Sequence, residues 1–311
     1  MISIHDPGLQ TTVQDLGRCG KLRYGIPQSG ALDRFALIAA NRLVGNSDDA
    51  AGLECTLLGP TFETDRACAI AVTGAEAKVT VNAIDAPRWT TIMLAAGDVV
   101  KVGAARSGLR SYVAFCGGID VPLLMGSRST YVRGAFGGHE GRALRRHDRL
   151  QLFDAPPAVP WELSPDLIPS YVAEPALRAV LGPQDDRFTS AGIASLLQSV
   201  YRVSPQSDRM GVRLQGDPIE HTRGHDIISD GTALGSIQVP GDGQPIVLLV
   251  DRQSTGGYTK IATVCSFDIG GIAQLRPGQS VRFSAVNVEE AHRLLGDADA
   301  MLAKIRRKEA S

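Results

Sequence analysis

The stretch that decides the fold reads PIVLLVDRQSTGGYTKIATVCSF and covers residues 245–267. In it, two apolar runs rich in β-branched residues flank a polar, glycine-rich segment from Asp251 to Lys260. Short runs of this kind, bounded by glycine and polar residues, are typical of strands. The same composition recurs in AIAVTG from Ala69 and in SYVAFCGG from Ser111. The sequence therefore predicts a mainly β fold of the barrel or sandwich kind, with a few short helices.

One short pattern recurs three times, with a glycine or histidine and a polar residue leading into an alternating run. The copies are GDVVKV from Gly97, HDRLQL from His147 and GQSVRF from Gly278. Alternation with a period of two buries one face of a strand. We therefore expect three closing strands, and the spacing of the last two hints at a duplicated β-architecture.

Helical periodicity is convincing in only a few places. The predicted helices are 31–44, 190–200 and 288–305. Ser29 and Gly30 open the first of them, and its apolar positions recur on one face. Asn287 can cap the last helix, since Glu290 follows at the spacing of a capping box.

A composition break divides the chain of 311 residues, a length that suits two cores of ordinary size. Five prolines fall between Asp154 and Ser170, where they disfavour both helix and central strand. We place the domain boundary here and predict an N-terminal domain at 1–160 and a C-terminal domain, ending in a helix, at 161–311. Trp161 is expected to pin the connection against one of them.

The charge balance argues against polyanionic partners. Lys plus Arg number 32 and Asp plus Glu number 33, so no excess of positive charge is available for nucleic acid or an anionic membrane. The N-terminus lacks a basic region followed by an apolar stretch, and no apolar run reaches the length of a membrane span. We expect no nucleic acid partner, no membrane association and a cytoplasmic location.

Five cysteines are spread along the chain without a C-x-x-C pair. They are Cys19, Cys55, Cys68, Cys116 and Cys265. An odd number of distant cysteines, several of them in apolar runs, predicts reduced thiols buried in the core.

The polar segment from Asp251 to Lys260 is the strongest candidate site. Gly256 and Gly257 allow positive φ and close approach of the backbone, so their N–H groups could bind a carboxylate or phosphate while Arg252 and Lys260 balance its charge. The alternative is a hairpin turn whose polar side chains are merely solvated.

Two further polar stretches have a structural and a functional interpretation. Asp208 and Arg209 are adjacent in YRVSPQSDRMGVRLQG, and the pattern favours a surface ion-pair cluster supporting a bulge at Gly211. Ser29 and Asp33 stand at the start of the first helix, where free N–H groups bind anions but side chains more commonly act as caps.

Several chemical signatures are missing from the sequence. His221 and His225 precede Asp226, but Gly224 disfavours a helix between the histidines and no third ligand is evident, so we predict no metal site. No phosphate loop, dinucleotide fingerprint or G-x-S-x-G turn occurs. If ATP is used, an ordinary nucleotide fold on this chain does not bind it.

Taken together, these motifs resemble the KipA family, also called the allophanate hydrolase subunit 2 family or the family of 5-oxoprolinase C subunits. The matching blocks are PGLQTTVQDLGR from Pro7, GIPQSGALD from Gly25, ANRLVGN from Ala40, GGIDVPLLMGSRST from Gly117, GGHEGRAL from Gly137, residues 201–216, SDGTALGSIQVP from Ser229 and residues 245–262. They occur in order and cover almost the whole chain.

The resemblance implies two cyclophilin-like β-barrel domains and a heteromeric enzyme. Similar proteins pair with a KipI-like subunit, which is the B-type component of 5-oxoprolinase. A third, A-type component joins them to open 5-oxoproline to L-glutamate with ATP and its Mg²⁺. One alternative is a biotin-dependent carboxyltransferase acting on urea, and another is a non-enzymatic regulator of a KipI-like partner. No cofactor is expected to bind tightly to this chain alone, and biotin belongs only to the carboxyltransferase alternative.

The site residues follow from the motif positions. Predicted catalytic residues are Lys260, Gln253 and Asp208. Predicted residues binding the small amide or lactam substrate are Arg252, Ser254, Thr255, Gly256, Gly257, Tyr258, Arg209 and Ser29. Ser254 and Thr259 stand where the family usually has threonine and proline. The loss of the proline relaxes the backbone before Lys260.

Overall fold

A computed structural model describes residues 1–305 of the chain, which form two compact units. Unit 1 comprises Met1–Cys19, Ser29–Tyr171 and residues 301–305. Unit 2 comprises Gly20–Gln28 and Val172–Ala300. The domain limits drawn from the sequence, 1–160 and 161–311, stay a prediction.

Within the described residues the chain forms eighteen strands and four α-helices. In unit 1 they are β1 Ile2–Asp6, β2 Gln10–Gln14, α1 Arg34–Leu43, β3 Gly52–Thr56, β4 Thr61–Thr64, β5 Cys68–Val81, β6 Ile84–Ala86, β7 Thr91–Leu94, β8 Val99–Phe115, β9 Ile119–Asp120 and β10 Arg149–Leu152. The rest are β11 Ala176–Leu181, α2 Ser190–Gln198, β12 Tyr201–Val203, β13 Gly211–Gln215, β14 Asp226–Gly231, β15 Ser236–Val239, β16 Ile246–Leu248, β17 Thr255–Val264, α3 Ile269–Ala273, β18 Ser280–Ala285 and α4 Val288–Ala303. The mainly β prediction is confirmed.

Two long strands organise the ten-stranded sheet of unit 1. Strands β5 and β8 pair antiparallel from Ile70 opposite Phe115 to Val81 opposite Val100. The main path runs β2-β3-β8-β4-β1-β10-β9, while β6 and β7 attach to β5. Every second side chain of these strands enters one apolar core, where Phe62 meets Phe115 edge to face at 5.3 Å between ring centroids.

The other face of this sheet carries helix α1. Alanines at 69, 71 and 114 face the buried Ala40, Leu43 and Val44. Such small side chains let the helix approach the sheet closely, so that its buried face is fully removed from water. Asp33 caps the helix by accepting a hydrogen bond from the Ala36 N–H at 3.1 Å.

Unit 2 contains a barrel that closes on itself. Strand β11 pairs in parallel with β18 and antiparallel with β17, which joins the two ends of the order β11-β18-β12-β13-β16-β15-β17. Strand β14 lies outside this ring and pairs with β17. The interior is apolar, and its fully buried members include Ile237, Val247, Ile261 and Val281.

All three alternating motifs form strands, since HDRLQL and GQSVRF form β10 and β18 and GDVVKV begins β8. The prediction of a closing strand is wrong for GDVVKV, because β8 lies inside the sheet between β3 and β4 and also pairs with β5. The last helix also starts as expected, with the Asn287 side chain accepting the Glu290 N–H at 2.8 Å. The first helix begins at Arg34 and not at Ala31, because Asp33 and neither Ser29 nor Gly30 caps it. The helix α3 was not predicted.

The proline-rich segment is fixed to unit 1 by its tryptophan, as predicted. The Trp161 carbonyl accepts the Thr91 N–H at 2.9 Å, and its ring packs against the apolar clusters around α1. Among residues 1–305 no helix is both long enough and apolar enough to cross a membrane.

Gly74 interrupts β5 with a φ of +79°, and a Cβ there would collide with the Arg110 carbonyl oxygen. We expect Gly74→Ala to lower the free energy of unfolding by about 2–4 kcal/mol, from left-handed strain plus the backbone collision. Gly97 has a φ of +86° with open space around it, so Gly97→Ala should cost only about 1 kcal/mol of strain. Chemical denaturation measures the free energy of unfolding of both variants. Equal losses in Gly74→Ala and Gly97→Ala would contradict the predicted backbone collision.

Candidate functional site

The polar segment is not the hairpin turn considered in the sequence interpretation. Strands β16 and β17 are not neighbours, because β15 lies between them in the barrel. Residues 249–254 form the connection, and the strand β17 already begins at Thr255. Most of the predicted site residues therefore lie on a paired strand or directly before it, where their positions are fixed.

Lys260 is the buried cation of this region. Its side chain is 2% exposed, and its Nζ lies 3.3 Å from Asp230 Oδ2 on the outer strand β14. Its backbone N–H donates to Gln184 Oε1 at 3.0 Å. The Asp230 carboxyl, itself 56% exposed, has a lowered pKa because the Gly231 N–H and then Lys260 stabilise its charged form. The pair thus joins an enclosed ammonium to a carboxylate that reaches solvent.

Two glutamine amides lie beside this pair. Gln238 is the register partner of Lys260 on β15, and its Oε1 accepts from Gln253 Nε2 at 3.4 Å. The Nε2 atom of the buried Gln238 amide has no hydrogen-bond partner. A Cβ on Gly256 would lie 2.5 Å from that nitrogen, so the glycine provides the room that the amide occupies.

The two glycines act differently from the sequence prediction. Neither Gly256 nor Gly257 has a positive φ, because both lie within β17. Gly257 has no close neighbour, since the nearest atom to a Cβ there is the Ile227 oxygen at 3.6 Å. A side chain at Gly256 would displace the Gln238 amide, whereas Gly257 needs glycine for neither space nor φ.

Arg252 and Asp251 are both buried at the turn before β17. Arg252 is 3% exposed, and its Nε and Nη1 donate to the Thr232 and Leu249 carbonyls at 3.2 Å each. Burial lowers the pKa of its guanidinium. The neighbouring Asp251 binds Arg209, with 2.9 Å between Oδ2 and Nε.

The surface-cluster interpretation of Asp208 and Arg209 is wrong for the arginine. Arg209 is buried and reaches Asp251, because its chain turns inward between β12 and β13. Asp208 is exposed, and its Oδ1 accepts the Met210 N–H at 2.8 Å within this turn. The catalytic role predicted for Asp208 stays a prediction, and its position suits a turn-stabilising role.

The remaining predicted residues differ in exposure. Thr255 and Tyr258 are exposed on β17, and Ser254 is partly buried with its carbonyl accepting the Thr232 N–H at 3.0 Å. Ser29 belongs to unit 1. It has a φ of +54°, is 1% exposed, and its hydroxyl has no hydrogen-bond partner.

His221 and His225 lie near β17 but hold different partners. His221 Nε2 bonds the Val239 carbonyl at 3.2 Å and the Thr259 hydroxyl at 3.1 Å, and its ring stacks on Phe188 at 4.6 Å. His225 faces Asp226 at 3.3 Å. Throughout residues 1–305, no group of three or more His, Cys, Asp or Glu side chains is placed to hold a metal ion.

His221 should make stability depend on pH. Burial lowers its pKa, so near pH 6 the unfolded chain binds more protons than the folded chain. The stability that the neutral ring contributes is present above about pH 6.5 and is lost as the pH falls toward the lowered pKa. We expect His221→Gln to flatten the decline in unfolding free energy between about pH 7.5 and 5.5, measured by urea denaturation.

The matched control for this prediction is His292→Gln on the exposed side of α4, which should retain the wild-type slope. A slope in His221→Gln equal to that of the wild type would show that another group dominates the titration.

The cysteine prediction is only partly right. All five cysteines are free, but Cys19 is exposed, because it lies in a turn outside any strand. Cys55 fits the prediction of a buried, inert thiol, since burial raises its pKa to about 12.

Sequence reasoning missed the residues that surround Lys260. Asp230, Thr232 and Gln238 all occur in the block SDGTALGSIQVP, which carries part of the family resemblance. The polar residues of that block were the available signal. Gln184 had none, because its role depends on a contact 76 positions along the chain.

The fold and this cluster define a class of protein: a closed β-barrel unit whose polar cluster combines a buried ammonium, a carboxylate and two carboxamides. Amides and cations of this kind suit small substrates that contain an amide or carboxyl group. The chain belongs to the family described as carboxyltransferase domain, subdomain A and B, which residues 24–285 match. The resemblance drawn from the motif blocks is confirmed.

Individual relatives agree with this assignment. The chain is 40% identical over 295 residues to the C subunit of 5-oxoprolinase from Escherichia coli, covering 94% of this chain and 93% of that protein. It is 34% identical to the C subunit of 5-oxoprolinase from Haemophilus influenzae, covering 99% and 98%. Both matches therefore extend over nearly the full length of the relatives.

A solved structure shares the fold. Urea carboxylase of Kluyveromyces lactis superimposes with a TM-score of 0.94 at 31% identity, covering all of this chain. The chain spans 30% of the length of that urea carboxylase. The barrel-type architecture is thus common to the two proteins.

Proposed function

We propose that this protein is one component of an ATP-dependent 5-oxoprolinase complex that opens 5-oxoproline to L-glutamate. The observation that carries the proposal is the nearly full-length match, at 40% identity, to the C subunit of a 5-oxoprolinase. The cluster around Lys260 supports it, because its groups are complementary to a lactam. We expect the complex to work in the cytoplasm.

The chemical difficulty of the reaction is the stability of the amide. ATP transfers its terminal phosphoryl group to the lactam oxygen and leaves as ADP. Water then adds to the carbon, and the C–N bond breaks as the ring nitrogen takes a proton. The resulting acyl phosphate is hydrolysed by a second water to glutamate and phosphate. The sequence lacks an ordinary nucleotide motif, so ATP and its Mg²⁺ are assigned to the partner subunits. This chain contributes to binding and orienting the lactam.

Lys260 stabilises the negative charge of the phosphorylated lactam oxygen. Its burial makes such a charge interaction stronger than one in water, and Asp230 holds the ammonium in position. Gln253 and Gln238 orient the lactam through their carboxamides, which can donate to a carbonyl and accept from an N–H. Lys260 and Gln238 are fixed on paired strands and Gln253 directly precedes β17, which favours a preorganised site.

The proposal requires partners, because lactam activation is not provided by this chain. We assign a KipI-like protein, the B-type component of 5-oxoprolinase, as the direct partner and an A-type component as the third member. The isolated chain should release no glutamate from 5-oxo-L-proline and ATP. After co-expression with both partners, it should co-elute in size-exclusion chromatography with ATP-dependent glutamate formation.

Two unassociated species in that experiment would count against the complex. An assembled complex that leaves 5-oxo-L-proline intact would count against the reaction.

A second function is a carboxyltransferase acting on urea with carboxybiotin. The TM-score of 0.94 to urea carboxylase favours it. The same cluster would then stabilise the ureido oxygen of biotin as the carboxyl group departs. Urea-dependent consumption of carboxybiotin, without ATP-dependent glutamate formation, would select this alternative.

A further inference from the structure

Arg252 carries a buried positive charge that no acidic side chain among residues 1–305 neutralises. The two acids of the cluster pair with other cations, since Asp251 binds Arg209 through Oδ2 and Asp230 binds Lys260, while the Oδ1 atom of Asp251 has no hydrogen-bond partner. The hydrogen bonds of Arg252 go to two backbone carbonyls, those of Thr232 and Leu249. The guanidinium is thus fixed in position by backbone acceptors, while its positive charge has no carboxylate partner.

An isolated buried charge is unfavourable unless an opposite charge pairs with it. A guanidinium has five N–H donors in a planar fork, and Arg252 uses two of them in the structure. One donor on Nη1 and both donors on Nη2 have no acceptor among residues 1–305, and such N–H groups can donate to the oxygens of a carboxylate. Lys260 differs because Asp230 already neutralises it.

The guanidinium belongs to the same cluster as the unpaired amide of Gln238. Thr232 links them, because its carbonyl accepts from Arg252 and its hydroxyl donates to the Gln253 carbonyl. Gln253 in turn bonds Gln238, whose other amide end has no partner. The unused N–H donors of the charged Arg252 and of the neutral Gln238 therefore occur in one contiguous set of side chains.

We propose that Arg252 binds the carboxylate of the ligand and thereby selects anionic amides over neutral ones. The inference rests on the proposed function in taking this cluster as the substrate site. The carboxylate has two sources, the carboxylate of 5-oxoproline or the carboxyl group carried on the ureido ring of biotin. Gln238 is placed to bond the amide part of either ligand.

The test is ligand binding to the full-length chain, alone and in the assembled complex, by isothermal titration calorimetry. The probes are 5-oxo-L-proline, the uncharged 2-pyrrolidinone, and 2-oxoimidazolidine-1-carboxylate as the ring fragment of carboxybiotin. We expect wild-type protein to bind one of the two carboxylates at least about tenfold more tightly than 2-pyrrolidinone. Arg252→Gln should lose this preference, Arg252→Lys should keep part of it, and the exposed Arg213→Gln should keep all of it.

Preference for 5-oxo-L-proline identifies the substrate carboxylate, and preference for the ring fragment identifies the carried carboxyl group. Either preference, lost in Arg252→Gln, supports the inference. Equal wild-type affinity for 5-oxo-L-proline, the ring fragment and 2-pyrrolidinone, or no binding of any probe, overturns it without requiring any variant to fold. A preference retained in Arg252→Gln also overturns it. Loss of turnover in a Lys260 variant would still support the proposed function in those cases.

Discussion

Replacing Lys260 with alanine is expected to lower the turnover of the assembled complex by at least about tenfold, or roughly 1.4 kcal/mol of transition-state stabilisation. The ammonium is 2% exposed and acts where water screens charge poorly, so no solvent cation replaces it effectively. Its partner Asp230 is more than half exposed and can be solvated after the substitution. Steady-state glutamate release measures the effect.

Gln253→Ala should show a loss of the same order, because it removes the carboxamide that bonds Gln238. The matched control for Lys260→Ala is Lys101→Ala, which removes an exposed lysine on β8 and should retain the wild-type turnover. Melting temperature and co-elution with the partners should stay nearly unchanged in the Gln253 variant. Full activity in both Lys260→Ala and Gln253→Ala would mean that the segment is structural and that the site lies elsewhere.

Asp15→Ala is expected to lower the free energy of unfolding of the chain by about 3–5 kcal/mol. The carboxylate is 5% exposed and accepts hydrogen bonds from the hydroxyls of Ser127 and Ser129 at 2.7 and 2.5 Å. It also accepts from the N–H groups of Arg128 and Gly17. Alanine leaves these donors without their acceptor, two of them on buried serines, and each such loss is costly.

Asp154→Ala provides the comparison, since Asp154 forms an ion pair with Arg66 but its side chain is 96% exposed. An exposed pair contributes little, so this variant should unfold with the wild type within error. Urea denaturation compares the two. A loss in Asp15→Ala no larger than in Asp154→Ala would show that water satisfies the donors around residue 15.

Local periodicity was sufficient to predict strands at the three alternating motifs and the last helix. HDRLQL alternates in burial along β10 as its sequence alternates in polarity, because one face of the strand meets the core. Asn287 and Glu290 fix the start of α4 through contacts three residues apart. Such signals are contained within one turn or one strand, so a single sequence reveals them.

The site depends on neighbours that are distant in sequence. Lys260 and Gln253 were identified from the density of polar groups before and within β17, but Asp230 and Gln184 reach Lys260 only through strand pairing and chain return. The hairpin alternative failed for the same reason, since the insertion of β15 between β16 and β17 is a topological fact that local composition does not encode.

The position of β14 outside the closed ring gives the site two parts of unequal mechanical stability. Lys260 and Gln238 stand on strands that cannot separate without breaking the barrel, whereas Asp230 stands on a strand whose residues are mostly solvent-exposed. Edge elements with few buried contacts open by local unfolding at a small fraction of the global free energy. Detachment of β14 would therefore uncover the Lys260 ammonium and remove its counterion in a single motion. The barrel itself would stay folded, so the accessibility of the ammonium and the presence of its counterion would change together through one peripheral strand.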